Sequence, residues 1–158
     1  MVKDWLFTGD TYICDLRAAG VLIKNGCILM QRDAGGTEYA LPGGHVHIGE
    51  DTEHALVREW QEEMGISVSC EKLLWTEECF WRWQDRQAHN LCFYYLIEAK
   101  DTAALPKLGV FIPHRDNPRV EVGWLAIDQL EQTTVYPAFI KEKIHHLDQA
   151  PSHHITYA

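Results

Sequence analysis

The chain has 158 residues, enough for one domain with a buried core and short for two. Apolar residues make up 46% and charged residues 23%, which excludes a disordered tail, a collagen-like rod and a coiled coil. Lys and Arg number 14 against 23 Asp and Glu, a net charge of −9. So acidic a chain is poorly suited to grip duplex nucleic acid through its phosphates, although a cation can still carry one phosphorylated small molecule in.

No run reaches the roughly 18 apolar residues that a membrane span needs. The longest, 91–97, suits a buried strand, so no membrane partner is expected. The opening Met1-Val2-Lys3-Asp4-Trp5 lacks the layout of a signal peptide. The cysteines are Cys14, Cys27, Cys70, Cys79 and Cys92, an odd number with no C-x-x-C pair. They read as small buried hydrophobes with reduced thiols, which points to a cytoplasmic protein.

In chain order, 17–23 reads as a strand, Asn25-Gly26 as a hairpin turn and 27–31 as the return strand. A loop at 33–36 leads to a short extended piece, 39–41, before Pro42-Gly43-Gly44. Thr52 is the expected cap of a helix reaching about Met64, with Gly65 just beyond its end. Strands are expected over 66–70 and 72–81, with a turn at Asp85-Arg86. The stretch 88–99 is apolar on both faces, which predicts a central strand. Pro106, Pro113 and Pro118 mark an irregular segment. Residues 120–125 form a further expected strand, and Pro137 is the expected first residue of a second helix running to about Leu147. This order predicts an α/β fold: a mixed sheet with helices on its faces, in one domain spanning 1–158.

The helix after Thr52 is where chemistry is written. With Glu59 at zero on a helical wheel, Glu63 falls near +40° and Glu62 near −60° at about 100° per residue. Three carboxylates therefore share one stripe about 100° wide. Ala55 falls inside it, too small to block it, while Leu56, Val57, Trp60 and Met64 form the core face. Like charges one turn apart repel, and Arg58 offsets only part of this. A hard divalent cation offsets more, since Mg²⁺ prefers carboxylate oxygens and bridges to phosphates. The spacing of acids alone is equally that of a solvated acidic face.

The segment 44–66 resembles the box of the Nudix (MutT-like) hydrolase family, Gly-x5-Glu-x7-Arg-Glu-U-x-Glu-Glu-x-Gly-U, where U is bulky and apolar. Gly44, Glu50, Arg58, Glu59, Glu62, Glu63 and Gly65 occupy every fixed position, and Ile66 fills the last U. Trp60 departs from the usual aliphatic choice at the first U. Leu41-Pro42-Gly43-Gly44 matches the usual lead-in, 21–31 looks like the family's hairpin strand, and Trp124-Leu125 with Leu130 is similar to its late strand and exit. The resemblance extends over 18–147. It implies an α/β/α sandwich with a mixed central sheet. It also implies hydrolysis of a nucleoside diphosphate linked to another moiety, with dependence on Mg²⁺ or Mn²⁺. The alternative is a non-catalytic nucleotide-binding or sensing module, but such relatives typically lose an acid from the box and none is missing here.

Carried over by position, Glu59, Glu62 and Glu63 are the implied catalytic metal ligands, and the Gly44 carbonyl adds an oxygen. Arg58 is the implied orienter of the acids, and Glu50 supports it or reaches the metal through water. An extra acid that serves as base in some relatives points to Glu121, or to Glu77 or Glu78. Arg32 is a candidate phosphate contact, and Trp81-Arg82-Trp83 a candidate stacking platform for a base or ribose, with core packing or a dimer contact as its other readings. His45 and His47 point to one side of the chain and read as exposed loop residues rather than ligands. His145-His146 and His153-His154 read as solvated. The substrate is expected to be a nucleotide-type small molecule, with ADP-ribose-like sugars and nucleoside triphosphates leading. A homodimer is compatible with the aromatic content.

Overall fold

In the computed structural model, which describes residues 2–158, the chain enters through a short edge strand, β1 (Leu6–Thr8). Met1, the first residue of the opening segment discussed above, lies outside the described residues. β1 pairs antiparallel with β2 (Tyr12–Val21), which is longer than its apolar half predicts. The hairpin follows: β3 (Ile23–Lys24), a turn with Asn25 at φ 52° and Gly26 at φ 75°, and β4 (Cys27–Asp33). Both turn residues sit in the left-handed region that the Asn-Gly pair tolerates. β5 (Glu38–Ala40) and β6 (Gly43–His45) lead to helix α1 (Thr52–Met64).

The strands expected at 66–70 and 72–81 are one element, β7 (Val68–Trp83), kept continuous by irregularities between Cys70 and Lys72 and between Leu73 and Trp75. It turns at Gln84-Asp85 into β8 (Arg86–Ala99). β9 (Ile112–Pro113), β10 (Val120–Ala126), β11 (Thr134–Tyr136), helix α2 (Ile140–Lys143) and β12 (Ser152–Tyr157) complete the chain.

Two six-stranded sheets result. The first has the order β1-β2-β8-β7-β12, with β6 paired to β2; the second has β11-β5-β4-β10-β9, with β3 paired to β4. Both are mixed. In the first, β2 and β8 run parallel from Tyr12↔Gln87 to Val21↔Leu96, while β7 and β8 are antiparallel. β8 therefore sits between β2 and β7, as its apolar faces predict. With helices packed on these sheets, the architecture is the α/β/α sandwich. One core cluster gathers Leu56, Trp60, Met64, Val46, Leu29 and Val122, joining α1 to both sheets. A second gathers Ile28, Met30, Trp75, Leu130 and Ile140 on the side of α2.

Several expectations change. The N-cap of α1 is Asp51, whose Oδ1 accepts from His54 N at 2.8 Å, so Thr52 is the first helical residue and its hydroxyl instead meets the Tyr95 hydroxyl at 2.6 Å. Gly65 closes the helix in the left-handed region, as expected. Ala55 is buried, because α1 packs against β6, while Glu62 at the edge of the stripe stays exposed. α2 spans four residues and does not begin at Pro137: Phe139 at its N-cap offers no side-chain acceptor, and bonds such as Ile140 N to Pro137 O are one-turn contacts. His154 lies in a strand and stacks on Phe139 with ring centroids 3.9 Å apart, which removes it from the solvated set.

Candidate functional site

β6 and α1 build the site between them. Trp60 explains its own departure from the aliphatic pattern: its indole N–H donates to Pro42 O at 3.1 Å and ties the helix to the Pro42-Gly43-Gly44 strand. A Cβ on Gly44 would lie 2.4 Å from the Glu59 carboxyl carbon, so only glycine leaves room for that carboxylate against the strand. On the opposite face of the same strand, a Cβ on Gly43 would lie 2.0 Å from the Ala18 carbonyl oxygen.

The acids are held by one arginine. Arg58 donates through Nε and Nη2 to the two oxygens of Glu50, each at 2.9 Å, through Nη1 to Glu59 at 2.7 Å and Glu62 at 3.2 Å, and through Nη2 to His45 O at 3.0 Å. Its bond to Glu50 raises the guanidinium further above its already high range. In return, Arg58 and the His47 backbone N–H hold the Glu50 carboxyl below the usual carboxylate range. Glu50 thus stands in the structure as the partner of Arg58.

The three stripe acids are not equivalent. The side chains of Glu59 and Glu63 are 14% and 15% exposed, while that of Glu62 is 58% exposed. Burial, the neighbouring Glu59 carboxylate and Asp116 push Glu63 up to about 8. Glu63 Oε2 is buried without a hydrogen-bond partner. An inward carboxylate next to a second carboxylate is costly to ionise unless a cation stands beside both. The orphaned oxygen and the Glu59 carboxylate held against Gly44 both fit a divalent ion at this place.

A loop missed by the sequence reading closes the far end of the site. His114, Arg115 and Asp116 lie between β9 and β10 and dock on the C-terminus of α1, where Arg115 N donates to Glu63 O at 2.7 Å. His114 is buried, with Nδ1 3.7 Å from Glu63 Oε2 and Nε2 without a partner; burial lowers its pKa. Glu63, His114 and Asp116 each offer one donor atom, all within 4.8 Å of one another. Its only signal in the sequence was a polar cluster between two prolines, which carries no periodicity.

Gly43 also lines a cleft of about 440 Å³, with Arg17, Gln31, Glu77, Asn90 and Tyr94 on its walls. Glu77 is 5% exposed and accepts from the Tyr94 hydroxyl at 2.8 Å and the Thr156 hydroxyl at 2.7 Å, so this acid is structural within the wall. Burial acts to raise Asp15, but its bonds to His45 and Asn90 and the charge of Arg17 outweigh this and hold it below its usual range. His45 meets Asp15 at 2.7 Å, and His47 lies 3.3 Å from Asp4, so both histidines anchor neighbouring strands.

The remaining candidates have partners of their own. Arg32 donates to Glu121 at 2.8 Å, Tyr39 OH at 2.9 Å and Gly36 O at 3.3 Å, and lies 3.8 Å from the Phe111 ring centre. Glu121 also accepts from Gly35 N at 3.2 Å, so the pair braces β4 against β10. Trp81, Arg82 and Trp83 stand at the end of the β7–β8 hairpin: Trp81 Nε1 donates to Asn90, Arg82 reaches Asp85 O at 3.3 Å, and Trp83 is exposed. Glu78 faces outward, 2.9 Å from His153.

Comparisons with known proteins bear on the family and the fold. A family model described as the NUDIX domain matches residues 15–147. A putative mutator protein MutT4 of Mycobacterium tuberculosis is 29% identical over 98 residues, which are 62% of this chain and 36% of that protein; the match thus spans about a third of that relative's length. A MutT protein of Bacillus halodurans superposes with a TM-score of 0.61 at 16% identity, covering 90% of each chain. An ADP-ribose pyrophosphatase of Streptococcus suis superposes with a TM-score of 0.59 at 16% identity, covering 91% of this chain and 98% of that one.

Proposed function

The chain belongs to the Nudix family, and on that premise we propose that it hydrolyses a phosphoanhydride bond in a nucleoside diphosphate linked to another group. Glu59, Glu62 and Glu63, with the Gly44 carbonyl, hold a divalent cation, Mg²⁺ or Mn²⁺, and Arg58 braced by Glu50 keeps the acids in register. When bound, such an ion neutralises charge growing on the phosphoryl oxygens and lowers the pKa of its water. The observation that carries this reading is the inward pair Glu59 and Glu63, one pressed on Gly44 and the other with a buried, unpartnered oxygen.

Gly43, the neighbour of Gly44 on β6, lines the cleft, whose volume suits a nucleotide-sized ligand. ADP-ribose-like compounds and nucleoside triphosphates are the substrate classes we assign to it. Arg17, on the cleft wall and 36% exposed, is the cation placed to meet a phosphate on its way to the acids. The test is product formation from a panel of these nucleotides, with and without each metal. Metal-dependent hydrolysis of at least one compound, abolished by Glu63→Gln in a folded protein, supports the reading. Nucleotide binding with no turnover under either metal overturns it in favour of a sensing module.

A further inference from the structure

The loop between β9 and β10 presents a donor set that the box acids do not explain. His114 is 5% exposed, its Nε2 has no hydrogen-bond partner, and Nδ1 faces Glu63 Oε2 at 3.7 Å. Glu63 Oε2 is itself buried and unpartnered. Each residue thus carries a buried polar atom without a partner, and it is the Nδ1 edge of the His114 ring that faces Glu63. Asp116, exposed beside them, adds a third donor within 4.8 Å and opens the spot to solvent. One cation can take one donor atom from each of the three residues.

The loop is also held in place before any ion arrives. Arg115 N donates to Glu63 O, His114 N donates to Val120 O at 2.8 Å, and Val120 N donates to Asn117 O at 3.0 Å. The Arg115 guanidinium packs where a Cβ on Gly65 would sit, 2.0 Å from Nη2. The helix end and the loop therefore fix one another, and His114 is carried to the acids by backbone contacts.

We infer that Glu63, His114 and Asp116 form a mixed nitrogen and oxygen site that makes this chain prefer a first-row transition ion such as Mn²⁺ over Mg²⁺. The chemistry follows from the donors: imidazole suits transition ions, whereas Mg²⁺ holds to oxygen and sheds water reluctantly. Ligands about 2.1 Å from one ion stand at most about 4.2 Å apart, so the three donors need only small shifts to close on it. The inference rests on the functional reading above only in taking an ion to bind beside Glu63.

The test uses the full chain stripped of metal and titrated with MnCl₂, read by electron paramagnetic resonance. Pulsed measurements on the Mn²⁺-loaded wild type should show coupling to a ¹⁴N nucleus of imidazole. His114→Gln should abolish that coupling and weaken Mn²⁺ binding by at least the roughly 10–100-fold that outer-shell changes already cause. Mg²⁺ affinity, measured by competition, should hardly change, so the Mn²⁺ to Mg²⁺ preference should fall by about the same factor. Asp116→Asn should weaken Mn²⁺ while leaving the nitrogen coupling in place. Mn²⁺ binding to the wild type without nitrogen coupling overturns the inference alone, whatever the fold of the variants. So does coupling that persists in His114→Gln. Failure of the chain to bind either ion overturns the functional reading together with it.

Discussion

The two faces of β6 are built in opposite ways. On the Gly44 face, the helix acids and their brace are drawn from one run of 23 residues, 44–66, with Arg58 wiring Glu50, Glu59 and Glu62 within it. On the Gly43 face, the cleft is assembled from strands of both sheets, β2, β7, β8 and β12 of one and β4, β5 and β11 of the other. A site made within one helix and its lead-in is bound to repeat a spacing. A wall made of strands from two sheets is free to vary so long as its volume and its internal hydrogen bonds survive. On the function proposed above, the contrast divides roles too: fixed chemistry on the first face, choice of substrate on the second.

The sharpest way to break this division is at Glu63. Glu63→Gln keeps the shape of the side chain and removes the charge that the proposed ion needs. Turnover should fall by about 10²–10⁴-fold, with a thermal midpoint equal to or above that of the wild type, because a carboxylate that resists ionisation is replaced by a neutral amide. Parallel assays of kcat and thermal melting check both halves of this statement.

The paired glycines compare the faces directly. In Gly43→Ala the new methyl meets the backbone carbonyl of Ala18, which cannot swing aside, so the protein should lose about 3 kcal/mol of stability in urea titrations. In Gly44→Ala the methyl meets only the end of a flexible side chain. Stability should fall by less than 1 kcal/mol. Displacing Glu59 should nevertheless cost about 100-fold in kcat, the scale of a 1 Å misplacement. If both variants behave alike, the two faces do not divide stability from chemistry.

How much of this was legible beforehand follows the same division. Asn25-Gly26, Gly65 and the core face Leu56, Trp60 and Met64 are local patterns, and the structure keeps them. The pairing of Glu50 with Arg58 was one of two open readings, because spacing places both residues near the acids without saying which way each turns. His114 and Asp116 were invisible: they sit between prolines in irregular chain, and only the docking of Arg115 on Glu63 O brings them to the acids. β12 was missed because it is held by parallel pairing with β7, a long-range contact that alternating burial alone does not announce.

Arg58→Ala tests the wiring of the first face. Glu50 and Glu59 would lose their shared donor while remaining partly buried, so stability at pH 7 should drop by about 2 kcal/mol. The pH dependence has a definite sign. Arg58 holds Glu50 below 4.5, so the pair's stabilisation is present at neutral pH and is lost as pH falls through the lowered value. The gap between wild type and variant should therefore narrow between about pH 5 and pH 3. Urea midpoints measured at several pH values would show it; a gap that stays constant or widens would contradict the pairing.

On the second face, the smallest of these effects falls on the cleft wall. Tyr94 donates to Glu77, and Thr156 on β12 donates to the other oxygen of the same carboxylate. Tyr94→Phe keeps the ring against Trp75 and removes one of two donors to a buried charge. The loss should be about 1–2 kcal/mol, and Thr156→Val should cost a similar amount through the other oxygen. The double variant should lose more than the sum, because the first deletion leaves Glu77 one donor and the second leaves it none. Such coupling, measured by a double-mutant cycle in urea, would show that β12 is fastened to the cleft through Glu77. Additive losses would mean that its parallel pairing with β7 holds β12 without that carboxylate.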